Sequence, residues 1–424
     1  MKILFIACYS PMINNSASIE TLMYLNNLCK IKGNEIHLLT VDFPKDSIYY
    51  DEEVFKLLDK RVKVYAISGG KIFNKIMPKR YNGYKDSGSR SGLKTSILRG
   101  IKNKFIFPDM YTNWVREASK VGIELMKKER IDVIFSMHEP PSSHLCALKI
   151  KKQFKKIPWI TYWSDPWLKD STRENSWILR RKIEAYLENK IINNADKFIY
   201  VTEENRQDYI KTYNIQKEKT FFITRGYNRK IYDEILSYNK PSLIFDNKIN
   251  IIYAGEIFIK LRDIYPFIEA VKELEQEENA FAENFNILFF GNIDDENAKT
   301  SLEALNTVTV KSRIPYREAL SYMLNSQVLL LFGNKNSKQI PAKIYDYFGT
   351  NSLIYTILGD EKDPLISLVK DKHKCIMTNN KKKEIKNTLL NIGKIYEDKN
   401  FKVPPIEEYE WSNISHKLNN ILKG

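Results

Sequence analysis

Gln339-Ile340-Pro341-Ala342-Lys343-Ile344-Tyr345-Asp346-Tyr347-Phe348-Gly349-Thr350, preceded by the apolar run Val328 to Phe332, is the stretch whose reading decides the fold. The run reads as a buried strand, the residues after it as a polar loop, and the stretch from Pro341 as a helix, because proline at a first helical position sacrifices no hydrogen bond. A helix start at a strand's carboxyl end offers free N–H groups and partial positive charge. Lys343 in the first turn adds a full charge, and Asp346 follows at i+3 on the same face. Amides and a cation suit diphosphate oxygens, and a carboxylate suits ribose hydroxyls. An ordinary surface Lys–Asp pair on an amphipathic helix is the competing reading of the same residues.

Working outward, Ile249–Ala254, Phe285–Phe290 and Val308–Val310 precede this strand as further apolar runs with helical patterns between them. Asn351–Thr356 and Cys375–Met377 follow it. The first half repeats the alternation. Lys2–Cys8 is a continuous apolar run, the pattern of a strand buried on both faces. A loop, a helix capped near Ser18, a stop at Gly33 and the strand Glu35–Val41 complete a βαβ unit. Val62–Ile67, Ile131–Ser136, Trp159–Trp163, Lys197–Val201 and Phe221–Ile223 extend the sheet to about seven strands. The polar residues 230–248 lack a clear period and read as a linker. The expected organisation is therefore α/β, with two Rossmann-like domains facing each other across a cleft: residues 1–229, then 249–406, with a C-terminal helix in 407–424 packing back on the first domain. That helix is suggested by Tyr409, Trp411, Ile414, Leu418 and Leu422, with Ser412 as cap.

The 424 residues carry a net charge of +15 and are 43% hydrophobic, the composition of a globular chain that meets anionic partners. Residues 71–104 hold ten Lys/Arg against the single acid Asp86, with Ile72, Phe73, Ile76 and Met77 interleaved. A solvated basic loop is one reading; a patch that meets anionic lipid at the membrane surface is the other. No recognised nucleic-acid motif accompanies the charge, so no nucleic acid is expected as partner. The four cysteines lack metal or CxxC spacing and read as buried thiols of a reducing compartment. With five histidines and no ligand spacing, no metal is expected. The first apolar run is too short for a signal peptide and no run reaches membrane-span length, so the expected location is cytoplasmic, peripheral on the inner face of the cell membrane.

Several segments, in order, resemble the GT-B glycosyltransferases of the glycosyltransferase family 4 type. They are Phe107-Pro108-Asp109 with Trp114; Ser136-Met137-His138-Glu139-Pro140-Pro141-Ser142-Ser143-His144-Leu145; Asp165-Pro166-Trp167; Arg225-Gly226-Tyr227-Asn228; Tyr253-Ala254-Gly255; and Pro341-Ala342-Lys343 with Tyr345-Asp346-Tyr347. The resemblance implies a retaining enzyme that moves a sugar from a nucleotide-sugar donor to a hydroxyl of a lipid-linked or polysaccharide acceptor in surface-glycan biosynthesis, with no cofactor. It implies that Gly255 lets backbone approach the phosphates, that Lys260, Arg262 and Lys343 face the diphosphate, that Asp346 takes the ribose hydroxyls, and that Arg313 lies near the base. A plain solvated role for Lys260, Arg262 and Arg313 stays open. His138, Glu139, His144 and Asp165 follow predicted strand ends, where a His or carboxylate can orient or deprotonate an acceptor hydroxyl; Asp165 and His138 are the catalytic candidates, against structural roles for each. The sequence departs from the family at Lys338, where an acid that contacts the sugar is expected, and at Arg225, where Asn is usual. Two other readings fit the same resemblance: an inactive relative that binds a glycan or partner, and a nucleotide-sugar epimerase.

Overall fold

The computed structural model describes residues 1–79, 107–169, 177–335, 339–398 and 401–424. The chain forms two compact units, Met1–Thr224 with Trp411–Gly424, and Arg225–Glu410. Each is built on one parallel sheet of apolar strands covered by helices, and each is Rossmann-like.

In the first unit the strands are β1 (Lys2–Ala7), β2 (Glu35–Asp42), β3 (Lys63–Ser68), β4 (Val133–His138), β5 (Trp159–Trp163), β6 (Lys197–Tyr200) and β7 (Thr220–Phe222). They lie in the order β3-β2-β1-β4-β5-β6-β7, every pairing parallel. β1 is buried on both faces, which is why its sequence runs apolar without alternation. Because β1 pairs with β2 on one side and β4 on the other, strand order reverses there. The crevice at the carboxyl ends of such a reversal is where ligands bind in open α/β sheets. The second unit repeats the plan with β8 (Ile249–Ala254), β9 (Phe285–Phe290), β10 (Val308–Lys311), β11 (Val328–Phe332), β12 (Leu353–Leu358) and β13 (Cys375–Asn379), in the order β10-β9-β8-β11-β12-β13. Here the reversal falls between β8 and β11.

The helix Trp411–Lys423 belongs to the first unit. Trp411, Ile414, Leu418 and Leu422 are its buried stripe, and Trp411 meets Tyr24 of the helix Ser16–Leu28 edge-on at 4.8 Å. Asn34 donates to Asn419 at 2.9 Å, and Lys197 donates to the Ile421 carbonyl at 3.0 Å.

Several details differ from the sequence reading. Helix Ser16–Leu28 is capped by Asn15, whose side chain accepts from the Ser18 N–H, rather than by Ser18. β4 runs two residues past the predicted Ser136, so His138 is a strand residue in register with Trp163. Residues 230–248 do not start as a linker. A helix, Arg229–Leu236, buries Ile231, Tyr232 and Ile235 at i, i+1 and i+4, a short stripe that the surrounding polar residues hide. The helix after β11 is Lys343–Phe348 with Ala342 at its cap, so Pro341 precedes it instead of opening it. In the basic stretch 71–104, Phe73 and Met77 are buried. Phe73 packs on Phe43 at 5.5 Å and on Tyr111 at 5.3 Å, because the helix Gly70–Ile76 turns them to the core. These two residues are not part of a lipid-facing surface; the stretch from residue 80 to 104 lies outside the described residues, as does Lys338. Cys8, Cys29, Cys146 and Cys375 are free thiols.

Candidate functional site

In the second unit, β8 ends at Tyr253-Ala254-Gly255. Gly255 has φ +150°, a conformation L side chains rarely adopt, and a Cβ there would collide with the Nζ of Lys343. The glycine thus lets main chain lie directly against a cation. Lys343 folds over the ring of Tyr253, its Nζ 4.0 Å from the centroid, a cation–π contact at a half-buried site. Arg262 joins the group: its Nε donates to Asn334 at 2.9 Å and one Nη donates to the Glu256 carbonyl at 2.7 Å, clamping the loops after β8 and β11 together. Burial lowers the Lys343 pKa, and the nearby Arg262 charge pushes the same way, while Tyr253 and Glu256 favour the charged form. Two cations converge here, and the lowered proton affinity of Lys343 marks a site that an anion would relieve.

Asp346, one turn on, is half-buried with its carboxyl among protein atoms. Burial pushes it up to about 7, while the Tyr232 hydrogen bond and the charges of Arg225 and Lys343 pull it back. The Tyr232 hydroxyl lies 3.1 Å from both the Asp346 Oδ1 and its carbonyl. Lys343 and Asp346 therefore take their nearest support from Tyr253 and Tyr232, which a plain surface pair would not need. Lys260 and Arg313 are exposed. The structure brings together Gly255, Arg262 and Lys343, with Asp346 beside them. Tyr232 and Tyr253 complete the group, and sequence reading had given neither a role. Arg225 had registered only as a departure from the family pattern.

At the carboxyl edge of the first sheet, Asp165 follows β5, Glu139 follows β4 and Tyr9 follows β1. Asp165 and Glu139 are half-buried. Burial raises the Tyr9 hydroxyl pKa, and the charges of Glu139, Asp109 and Asp165 raise it further, so these four groups share one rim. Asp109 is committed to structure: it accepts from Ser142 Oγ at 2.6 Å and Ser142 N at 3.0 Å, holding the start of helix Ser142–Gln153. His138 is 2% exposed, its ring stacked on Trp163 at 5.4 Å and His144 at 5.8 Å. Strand placement turns its ring inward, in register with Trp163. His144 is buried too, and burial lowers it to about 3. Trp159 Nε1 donates to Ser136 Oγ at 2.8 Å, and that hydroxyl is hydrogen-bonded to His144 Nδ1 at 2.8 Å. These histidines are core.

Among the described residues one group has metal-ligating geometry, Glu35, His37 and Glu129. It lies at the opposite, amino-terminal edge of the sheet, and Lys2 and Lys63 already pair with its carboxylates.

Comparison with known proteins adds to this geometry. Residues 85–230 match the profile of Glycosyltransferase Family 4. No curated protein matches the sequence. Among solved structures, the chain is similar to a glycosyltransferase from Rickettsia africae ESF-5, with TM-score 0.63, 13% identity, and 100% of this chain and 97% of that one covered. It is similar to the UDP-GlcNAc 2-epimerase from Neisseria meningitidis bound to UDP-GlcNAc, with TM-score 0.57, 13% identity and both chains covered fully, at 100%. A sucrose-phosphate synthase from Thermosynechococcus elongatus matches with TM-score 0.54 and 13% identity, over 99% of this chain and 94% of that one. The fold is GT-B, the chain resembles GT-B glycosyltransferases of the family 4 type, and the family match supports a transferase. No helix among the described residues is long and apolar enough to cross a membrane.

Proposed function

We propose that this protein moves a sugar from a nucleotide-diphosphate sugar to a hydroxyl of a lipid-linked or polysaccharide acceptor. The observation that carries the reading is the convergence of Lys343 and Arg262 against the backbone of Gly255, with Asp346 one helical turn away. In this reading the cations hold the diphosphate and stabilise the charge that develops on it as the glycosidic bond breaks. Asp346 accepts from the ribose, and Lys260 and Arg313 contribute from the rim. Asp165, at the carboxyl edge of the first unit, orients or deprotonates the acceptor hydroxyl, with Glu139 and Tyr9 beside it. No metal takes part, since the leaving diphosphate has its counter-charge from side chains. The resemblance implies retention of anomeric configuration, which product NMR reads directly.

The test is calorimetric. Lys343→Ala and Asp346→Ala are expected to weaken binding of a nucleoside diphosphate while the protein stays folded; unchanged affinity in both removes the reading. A second reading, nucleotide-sugar epimerisation, draws on the likeness to the Neisseria epimerase. Product analysis with donor alone separates the two, since an epimerase needs no acceptor.

A further inference from the structure

The helix Ile178–Ile192 in the first unit turns its acids inward and part of its apolar set outward. Its only acids, Glu184 and Glu188, are both 1% exposed, whereas Ile178 is 72% exposed and the preceding Trp177 69%. Leu179, Ile183 and Tyr186 are exposed as well. At 100° per residue, Ile178, Lys182 and Tyr186 stack on one line and Leu179 and Ile183 on the next, forming one outward stripe. Arg181 and Lys182 are exposed on this helix, and the Lys190 Nζ sits 4.2 Å over the ring of Tyr186. Among the described residues, the outward face therefore carries apolar groups and cations and no carboxylate. Surface helices ordinarily turn their acids to water and their isoleucines to the core. A contiguous apolar stripe left outside marks an interaction surface.

The helix is held in that attitude. Arg180 pairs with Glu184 at 3.1 Å, donates to the Pro108 carbonyl at 2.8 Å and lies over the ring of Phe107 at 5.7 Å. Those contacts fix its amino end beside the segment whose Asp109 holds Ser142, at the carboxyl edge of the sheet. The exposed Trp177, Ile178 and Leu179 thus sit on the same edge as Asp165 and Glu139.

We propose that this face docks the protein on an anionic lipid bilayer, with Ile178, Leu179, Ile183 and Trp177 entering the headgroup–acyl boundary and Arg181, Lys182 and Lys190 meeting lipid phosphates. The chemistry matches an interfacial helix: apolar groups and aromatic rings for the boundary, cations for the surface potential, and, among the described residues of that face, no acid to repel it. The net charge of +15 favours the same encounter at longer range. This docking does not depend on the donor site. Its consequence for the acceptor does rest on the transferase reading: a hydroxyl presented at headgroup level would lie at the rim that bears Asp165.

Vesicle partitioning tests it. The full chain is expected to co-sediment with phosphatidylglycerol–phosphatidylcholine vesicles and weakly with phosphatidylcholine alone. Replacing Ile178, Leu179 and Ile183 together by Ser should lower partitioning by about a hundredfold, and Arg181→Glu with Lys182→Glu should remove the preference for anionic lipid. Five of the six tryptophans are buried and Trp177 is exposed, so brominated lipid should quench Trp177 emission, and Trp177→Phe should abolish the quenching. Absence of partitioning by the folded wild-type chain overturns the proposal. So does partitioning unchanged in the triple variant, or a dimer that the triple variant dissociates in analytical ultracentrifugation. A nucleotide-induced thermal shift in the same samples reads the donor site separately, so loss of one result leaves the other standing.

Discussion

Asp346 supplies the sharpest test of the donor site, because the reading asks it to accept hydrogen bonds while burial favours its protonated form. With its pKa raised from 3.8 to about 7, the ionised fraction should climb from roughly one-tenth at pH 6 to roughly nine-tenths at pH 8. If only the carboxylate accepts from both ribose hydroxyls, affinity for a nucleoside diphosphate should rise about tenfold over that interval. Lys343 imposes the opposite trend at higher pH, since losing its proton removes a phosphate counter-charge, so affinity should pass through a maximum. Asp346→Asn should weaken binding at pH 8 by roughly thirtyfold, the worth of one charge-assisted hydrogen bond at about 2 kcal/mol, and should flatten the rise between pH 6 and 8. Stability of the unliganded protein runs the other way. A carboxyl whose folded pKa is raised binds more protons in the native state, so its contribution is fully present at low pH and is lost as pH rises from about 4 through 7. Asp346→Asn should remove that component of the thermal-melting profile. Calorimetry across pH with uridine diphosphate, paired with melting curves, reads both effects. A wild-type affinity that is flat from pH 6 to 8, or a slope that survives in the Asn variant, refutes the assignment.

Three further outcomes are expected. Gly255→Ala should strain the chain at φ +150° and displace the Lys343 ammonium, costing about 1–3 kcal/mol of stability and at least tenfold in nucleotide affinity, read by melting and calorimetry together. Asp165→Asn should lower kcat by roughly a hundredfold or more while nucleotide affinity stays unchanged, since the residue belongs to the first unit; donor-turnover kinetics check it. Lys374→Met should destabilise the second unit by about 1–3 kcal/mol, because the buried Lys374 Nζ donates to the Thr350 carbonyl at 2.6 Å and lies 3.4 Å from the Phe348 carbonyl, satisfying main-chain groups beyond helix Lys343–Phe348; thermal denaturation measures it.

The two sheets were legible because strands buried on both faces write themselves as unbroken apolar runs, as Lys2–Ala7 and Val328–Phe332 do. Boundaries were less so. Nothing in Ser136-Met137-His138 signals that pairing with β5 continues to Trp163, and two residues of register decide whether His138 is a loop base or a stacked core ring. In the candidate site of the second unit Lys343, Asp346 and Gly255 were readable, since proline, cation, acid and strand-end glycine are local patterns. Tyr232 was not, because its hydrogen bond to Asp346 joins residues 114 positions apart. The helix Ile178–Ile192 shows the same limit. Apolar residues occur on both of its sides, so spacing does not say which side is inward; the burial of Glu184 and Glu188 decides it.

The helix Trp411–Lys423 completes the first unit with residues that follow the second unit in sequence. During synthesis, Arg225–Glu410 leaves the ribosome whole before Trp411 can reach Tyr24, so the inserted unit has every residue it needs to fold while the enclosing one still waits. Until then the surface around Tyr24 and Asn34 stays uncovered, and a nascent chain stalled short of residue 411 would expose it to chaperones.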